Sequence, residues 1–294
     1  IMLNYSNPNA MATWACNHYG GVRTIGLCQC ESHGKHKIAE ALGIPWEELD
    51  LICAGINHQT WYSSVKHHGR EMREQILAGF EQHERFSRQE KVRIDILRRF
   101  GYYSTESNGH LSEYVAWYRK RPAEISQWIS LDAWIHGETG GYLRVTRESR
   151  DWFETEYPKI AAEPPQRLDG SSRGHEHGSY IIEALETGRR YRGHFNVMNR
   201  GCIANLPDEC VVEVPCYVDG NGISVPAVGE LPPGCAAICS QSIWVQRLAV
   251  EAAVRGDAGL LKQAALLDPL TGAVCNPPEV WQMVDEMLVA QSQW

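Results

Sequence analysis

Three stretches of the chain gather side chains able to bind a metal or move a proton. Cys28-Gln29-Cys30-Glu31-Ser32-His33-Gly34-Lys35-His36 sets two thiols and two imidazoles close together. Sulfur and nitrogen donors can hold Zn2+, but this spacing is not that of a known finger or ribbon. The second stretch, Ala54 to Tyr62, carries Asn57 and His58 after an apolar run. The third, Gly101-Tyr102-Tyr103-Ser104-Thr105-Glu106-Ser107, offers two phenols, with Glu106 and His110 following at helical spacing. His175 and His177 form a further His-x-His, but in a Ser/Gly loop imidazoles are more often solvated than ligating, so no role is assigned to them.

Several elements must position these groups. Residues 1–6 read as a short buried strand leading into Asn7-Pro8, and residues 9–19 as a helix closed by Gly20-Gly21. Residues 24–28 form a second strand, and a helix from Lys35 to Leu42 ends at Gly43. Strand, helix, strand, helix implies parallel strands with crossover helices, so residues 1–50 read as the trailing part of a doubly wound nucleotide-binding sheet. The glycine-rich turn that opens such a domain is missing, which implies an N-terminal truncation. Residues 51–294 form a second domain: a strand over 51–62, charged helices over 70–100, helices at 108–128 and 147–162, and a polar loop over 163–178. A helix reaching Gly188 and a strand over 211–218 follow, then helices at 236–255, 259–267 and 278–291.

Composition narrows the partners. A net charge of −8 over 294 residues argues against nucleic acid, whose phosphates need clustered Lys and Arg. The chain shows neither a signal peptide nor a segment of about 18 apolar residues, so no membrane is expected. Ten cysteines in a chain long enough to need no disulfides read as reduced thiols, and the expected compartment is the cytoplasm.

Seven segments in fixed order make the sequence resemble the glycoside hydrolases of family 4. They are residues 4–11, Gly26-Leu27-Cys28, residues 54–62, Gly101 to Ser107, Asn199-Arg200-Gly201 with Leu206-Pro207-Asp208, Val211 to Gly222, and Leu267 to Thr271. The Gly-Tyr-Tyr-Ser-Thr-Glu-Ser run places the resemblance nearest the branch acting on α-galactosides or α-galacturonides. The fold it implies is α/β, the last units of a Rossmann-type NAD-binding domain followed by an α+β domain like the C-terminal domain of lactate and malate dehydrogenases. Long helices would pair subunits into a homodimer or homotetramer.

The implied chemistry departs from two-carboxylate glycoside hydrolysis. NAD takes a hydride from sugar C3, a tyrosine-like base removes the C2 proton, the aglycone is eliminated, water adds and the ketone is reduced. A divalent ion, usually Mn2+, stabilises the enediolate. By resemblance Cys28 and His58 are the metal ligands, and the base is Tyr102 or Tyr103, with Tyr103 the better placed. Asn7 would stand between nicotinamide and substrate, Asn57 would bind sugar, and Asn199 and Arg200 would lie in a loop over the sugar, where Arg200 could pair with a uronate. Gln29 stands where this branch usually carries a histidine that assists the leaving group, and a glutamine amide cannot act as general acid. Cys30 or His33 could take that role, or the leaving group needs no acid.

Two rivals stay open. One is a 2-hydroxy-acid dehydrogenase on the same fold, which would need an Arg/His pair in place of Cys28 and His58. The other is an inactive fragment or pseudoenzyme that, lacking the dinucleotide turn, binds no NAD; for the 294-residue chain alone, inactivity is the expectation.

Overall fold

The computed structural model describes residues 1–130, 141–165 and 173–292. Among them eight strands form: β1 (Met2–Asn4), β2 (Thr24–Leu27), β3 (Leu49–Ile56), β4 (Gln59–His67), β5 (Arg70–Glu71), β6 (Tyr191–Met198), β7 (Val211–Asp219) and β8 (Gly222–Ser224). The helices preceding β6 are α1 (Asn9–His18), α2 (Cys30–Leu42), α3 (Arg73–Gln82), α4 (Phe86–Gln89), α5 (Lys91–Phe100), α6 (Asn108–Glu113), α7 (Pro122–Trp128), α8 (Gly141–Glu148), α9 (Trp152–Thr155), α10 (Tyr157–Ala162) and α11 (His177–Thr187). The tail holds α12 (Pro233–Arg255), α13 (Ala258–Leu267), α14 (Pro269–Val274) and α15 (Pro277–Ala290). The expected polar loop over 163–178 lies partly outside the described residues.

The strands make one sheet in the order β1-β2-β6-β7-β3-β4-β5, with β8 on β7. Only β1 and β2 pair in parallel; the remaining pairs are antiparallel. α1 is the crossover between the parallel strands, and it lies so close to β2 that a Cβ on Gly26 would stand 2.1 Å from Asn9 Oδ1 and 2.6 Å from Thr13 Oγ1. The fold class is therefore α/β, and the trailing βαβ unit is continuous with the sheet that follows it.

Alternate side chains of β4 feed two cores. Trp61 joins Leu27, Ile56, Phe195 and Val214 in the larger one, while Tyr62 joins Ile38, Val65, Phe80 and Tyr103 in the other. That split follows from the two-residue period of a strand buried on both faces.

Several elements differ from the sequence expectation: the strand expected to be buried over 1–6 is only Met2–Asn4 and is not buried, and the helix expected over 108–128 is α6 and α7. The single strand expected over 51–62 is a hairpin, because Asn57 and His58 turn the chain between the paired Ile56 and Gln59. The charged stretch 70–100 begins as β5 and then breaks into α3, α4 and α5. β6 was not anticipated, although His194 and Asn196 alternate with Phe195 and Val197; its residues 193–197 are all buried, the polar ones included.

Candidate active site

The turn between β3 and β4 aims its second residue into the molecule. His58 has φ 66°, in the left-handed region that a residue other than glycine adopts at a cost, and such outliers gather at functional sites. Facing it is the β2–α2 turn. Cys28 follows β2, Cys30 opens α2, and the two sulfur atoms lie 3.3 Å apart. The sulfurs and a ring nitrogen of His58 all fall within 4.8 Å of one another, a grouping able to hold a metal ion. All three residues are half-buried.

A hydrogen-bonded shell surrounds this group. His58 Nδ1 lies 2.9 Å from the hydroxyl of Tyr114, the residue closing α6, and 3.6 Å from Glu106 Oε2. Glu106 is buried, receives the Ser107 amide at 2.5 Å and faces His110 Nδ1 at 3.4 Å. Burial alone would raise its carboxyl, but His110, His58 and the Ser107 amide outweigh burial and hold it down at about 2. Burial likewise opposes the charged form of His58, yet the Cys28 sulfur and Glu106 lift it to about 9. Contact with Cys30, ahead of His58, lowers Cys28 to about 4, while contact with Cys28 and burial raise Cys30.

Behind the turn, Glu213 of β7 is fully buried. Its Oε2 accepts the amides of Asn57 (3.4 Å) and Asn196 (3.3 Å), and its Oε1 has no partner among the described residues. Burial, with Cys28 adding, pushes this carboxyl well above its ordinary value. His177 braces the other turn, its Nε2 lying 3.2 Å from the Cys28 carbonyl and its Nδ1 2.6 Å from the Tyr191 hydroxyl. His177 is thus buried rather than solvated as the loop composition suggested.

A cavity of about 380 Å3 opens beside these groups, within the range for small-ligand sites. Asn7 and Pro8 line it from the β1–α1 loop, Asn57 and His58 from the hairpin, Tyr114 from the end of α6, and Asp268 from the start of α14. The adjacent crevice between Trp14 and Arg247 measures only about 20 Å3, room for about one water.

The expected residues divide accordingly. Asn7, Asn57 and His58 meet at the cavity, and Cys28 meets His58. Asn7 is exposed and its Oδ1 also accepts the Asn9 amide. Gln29 is the half-buried residue before α2 and is not among the cavity lining. Asn199 is buried, with Nδ2 on the carbonyls of Ile203, Leu206 and Pro207 and Oδ1 receiving the Ile203 amide, so its hydrogen-bonding capacity is spent inside its own loop. Arg200 beside it is exposed.

Neither expected tyrosine reaches the cavity. Tyr103 is completely buried between Phe80, whose ring is 4.4 Å away, and the Arg93 guanidinium at 4.0 Å, and its hydroxyl has no partner among the described residues. Tyr102 lies against Arg73 in a separate cleft. The phenol that does line the cavity is Tyr114, which sequence reasoning passed over although Glu106, His110 and Tyr114 recur every four residues, on one helical face. Of the compact Cys/His run only Cys28 and Cys30 come together, while His33 and His36 are exposed. Trp61 is a core residue, and Trp117 stacks on Phe100.

Residues 53–271 match the model of the family 4 glycosyl hydrolase C-terminal domain. The chain belongs to the family 4 glycosyl hydrolases. Among the relatives of this family 4 chain, an alpha-galactosidase of Rhizobium meliloti is 59% identical over 99% of the chain, and one of Bacillus subtilis is 33% identical over 99%. The chain spans 60% of the first and 66% of the second. Its fold is that of a 6-phospho-alpha-glucosidase from gut microorganisms solved in complex with NAD and Mn2+, with TM-score 0.74 and 21% identity, covering 99% of this chain and 67% of that one. A 2-hydroxy-acid dehydrogenase is not favoured by these findings.

Proposed function

We propose that this chain is the metal- and sugar-binding portion of an enzyme hydrolysing α-galactosides or α-galacturonides with NAD and a divalent ion. Residues 1–50 would be the end of the NAD-binding domain and residues 51–294 the family 4 C-terminal domain. The observation carrying this is the convergence of His58, Asn7, Asn57 and Tyr114 on one sugar-sized cavity, with the Cys28 sulfur grouped beside His58. Sulfur and imidazole donors on two facing turns suit an ion that must keep positions open for substrate oxygens.

When bound, NAD would exchange a hydride with the sugar and the ion would stabilise negative charge on its oxygens. The chain's own groups do the rest. Cys28 and His58 hold the ion, and Asn7 and Asn57 orient sugar hydroxyls. Tyr114 takes the place proposed for the base, because its hydroxyl lines the cavity and Tyr103 does not. Burial, then Glu106, raises the Tyr114 phenol above its ordinary value. With His58 among the residues that would hold the ion, its Nδ1 at 2.9 Å would fix the Tyr114 hydroxyl beside the cavity and, as Nδ1–H, would support the phenolate. Glu106 fixes the orientation of His58 and His110.

Ten free thiols suit a cytoplasmic setting, and no helix among the described residues is long and apolar enough to cross a membrane. Subunits would pair through the tail helices, where Trp244, Met287 and Val289 are exposed.

The test uses the full-length protein: release of nitrophenol from nitrophenyl α-galactoside and α-galacturonide, with and without NAD, Mn2+ and a reductant. Turnover that needs all three and disappears in Cys28→Ser and His58→Ala is expected. Turnover indifferent to NAD and metal would overturn the proposal.

A further inference from the structure

Cys30 has no part in the mechanism above, yet it stands inside the metal group. The backbone at Gln29, φ −107° and ψ 7°, folds the chain so that the first residue of α2 returns its sulfur to 3.3 Å from that of Cys28. Cys30 is also 3.5 Å from Glu106 Oε2, the same oxygen that lies 3.6 Å from His58 Nδ1. One buried carboxylate oxygen therefore lies beside both Cys30 and His58, holding the two close and able to accept from the His58 ring as an outer group does from a metal-binding histidine.

Resting on the metal site proposed above, we propose that Cys30 is a third protein ligand, and that the resulting set of two sulfurs and one imidazole makes this chain select Zn2+ or Co2+ over Mn2+. Mn2+ is a hard ion suited to carboxylate, carbonyl and water oxygens, whereas thiolates favour Zn2+ and ions later in the first-row series. A tetrahedral ion held by three such ligands keeps a fourth position for one substrate oxygen. Each thiol releases its proton to solvent as the metal–sulfur bond forms, and no sulfur is oxidised.

The test is metal spectroscopy on the full-length protein, kept reduced. X-ray absorption of the Zn2+-loaded protein should count two sulfurs at the metal. With Co2+, the sulfur-to-cobalt charge-transfer absorbance should fall to about half in Cys30→Ser, and Co2+ affinity should drop roughly tenfold while Mn2+ affinity changes far less. One sulfur in the unmodified protein, or an absorbance unchanged by Cys30→Ser, would overturn the role of Cys30 and leave Cys28 and His58 as the site. No sulfur at the metal would overturn both. Counting sulfurs in the unmodified protein keeps the test independent of how the variant folds.

Discussion

The His58 ring and the Tyr114 hydroxyl meet at 2.9 Å, joining the β3–β4 turn to the end of α6. Removing that hydroxyl should therefore reach the chemistry. Tyr114→Phe in the full-length enzyme is expected to lower turnover of nitrophenyl α-galactoside by about 10²- to 10⁴-fold, as loss of a proton-transfer group does. Tyr103→Phe, which removes a buried hydroxyl far from the cavity, should leave turnover near that of the parent. The reverse ranking in steady-state kinetics would restore Tyr103 as the base.

Glu90, Lys37 and Arg93 form a buried ionic group beneath Tyr103. Glu90 faces Arg93 at 3.1 Å and pairs with Lys37, while Arg93 donates to the Ser104 carbonyl at 2.6 Å. Burial by itself would raise the Glu90 carboxyl, but Arg93 and Lys37 outweigh it and leave it depressed. Glu90→Gln leaves Arg93 buried without its counterion and should cost about 3–5 kcal/mol at pH 7. A depressed carboxyl contributes stability above its unfolded value of about 4.3 and loses it as pH falls through the folded value, so the gap between parent and variant should close on acidification. Urea unfolding at pH 7 and at pH 3 measures both effects.

Glu213 behaves in the opposite sense. Its folded pKa is raised, so the carboxyl penalises folding above the unfolded value and the penalty disappears below it. Glu213→Gln keeps an acceptor for Asn57 and Asn196 without the charge, and in the metal-free protein it should melt at or above the parent temperature at pH 7. That advantage should vanish below pH of about 4.3. Relative to Glu213→Gln, Glu213→Leu, which strands both amides, should lose about 1–3 kcal/mol for each at either pH. A lower melting temperature for Glu213→Gln at pH 7 would contradict this account.

Metal binding should be visible without turnover. An ion that binds only the folded protein stabilises it by about 2.7 kcal/mol at a hundred times its dissociation constant. Thermal unfolding should shift upward on adding Mn2+ or Zn2+ and return on chelation, and His58→Ala should abolish the shift. A shift of unchanged size in that variant would place the ion elsewhere, for instance beside Glu48, His67 and His68.

Much of the site's outline was legible in the residues, but not its geometry. The end of β2 before Cys28 was readable because an apolar run stops there, whereas β1 ends at Asn4, three residues short of Asn7. The Asn57-His58 turn was hidden, since neither residue is glycine or proline and His58 takes its left-handed φ for reasons outside its own identity. Tyr103 was misleading because its motif is shared while its ring is committed to the core by Phe80 and Arg93. Asn199 was read as a sugar contact, and the structure engages its amide in holding the 199–207 loop. Asn199→Ala should accordingly lower stability by about 1–3 kcal/mol, read as a lower melting temperature, and leave KM unchanged. Partners distant in the chain, such as Asn196 and Glu213, leave no local pattern to read.

The pairing of β2 with β6 also sets an order of assembly. Leu27 pairs with Phe195, so the β2–β6 contact cannot form until roughly 170 further residues have been made and β6 has formed, and closing so large a loop is slow. Cys28 is the next residue after that strand. The turn that carries Cys28 is thus backed by β6 only late in folding, and the pocket for the ion closes only once the sheet behind it is complete.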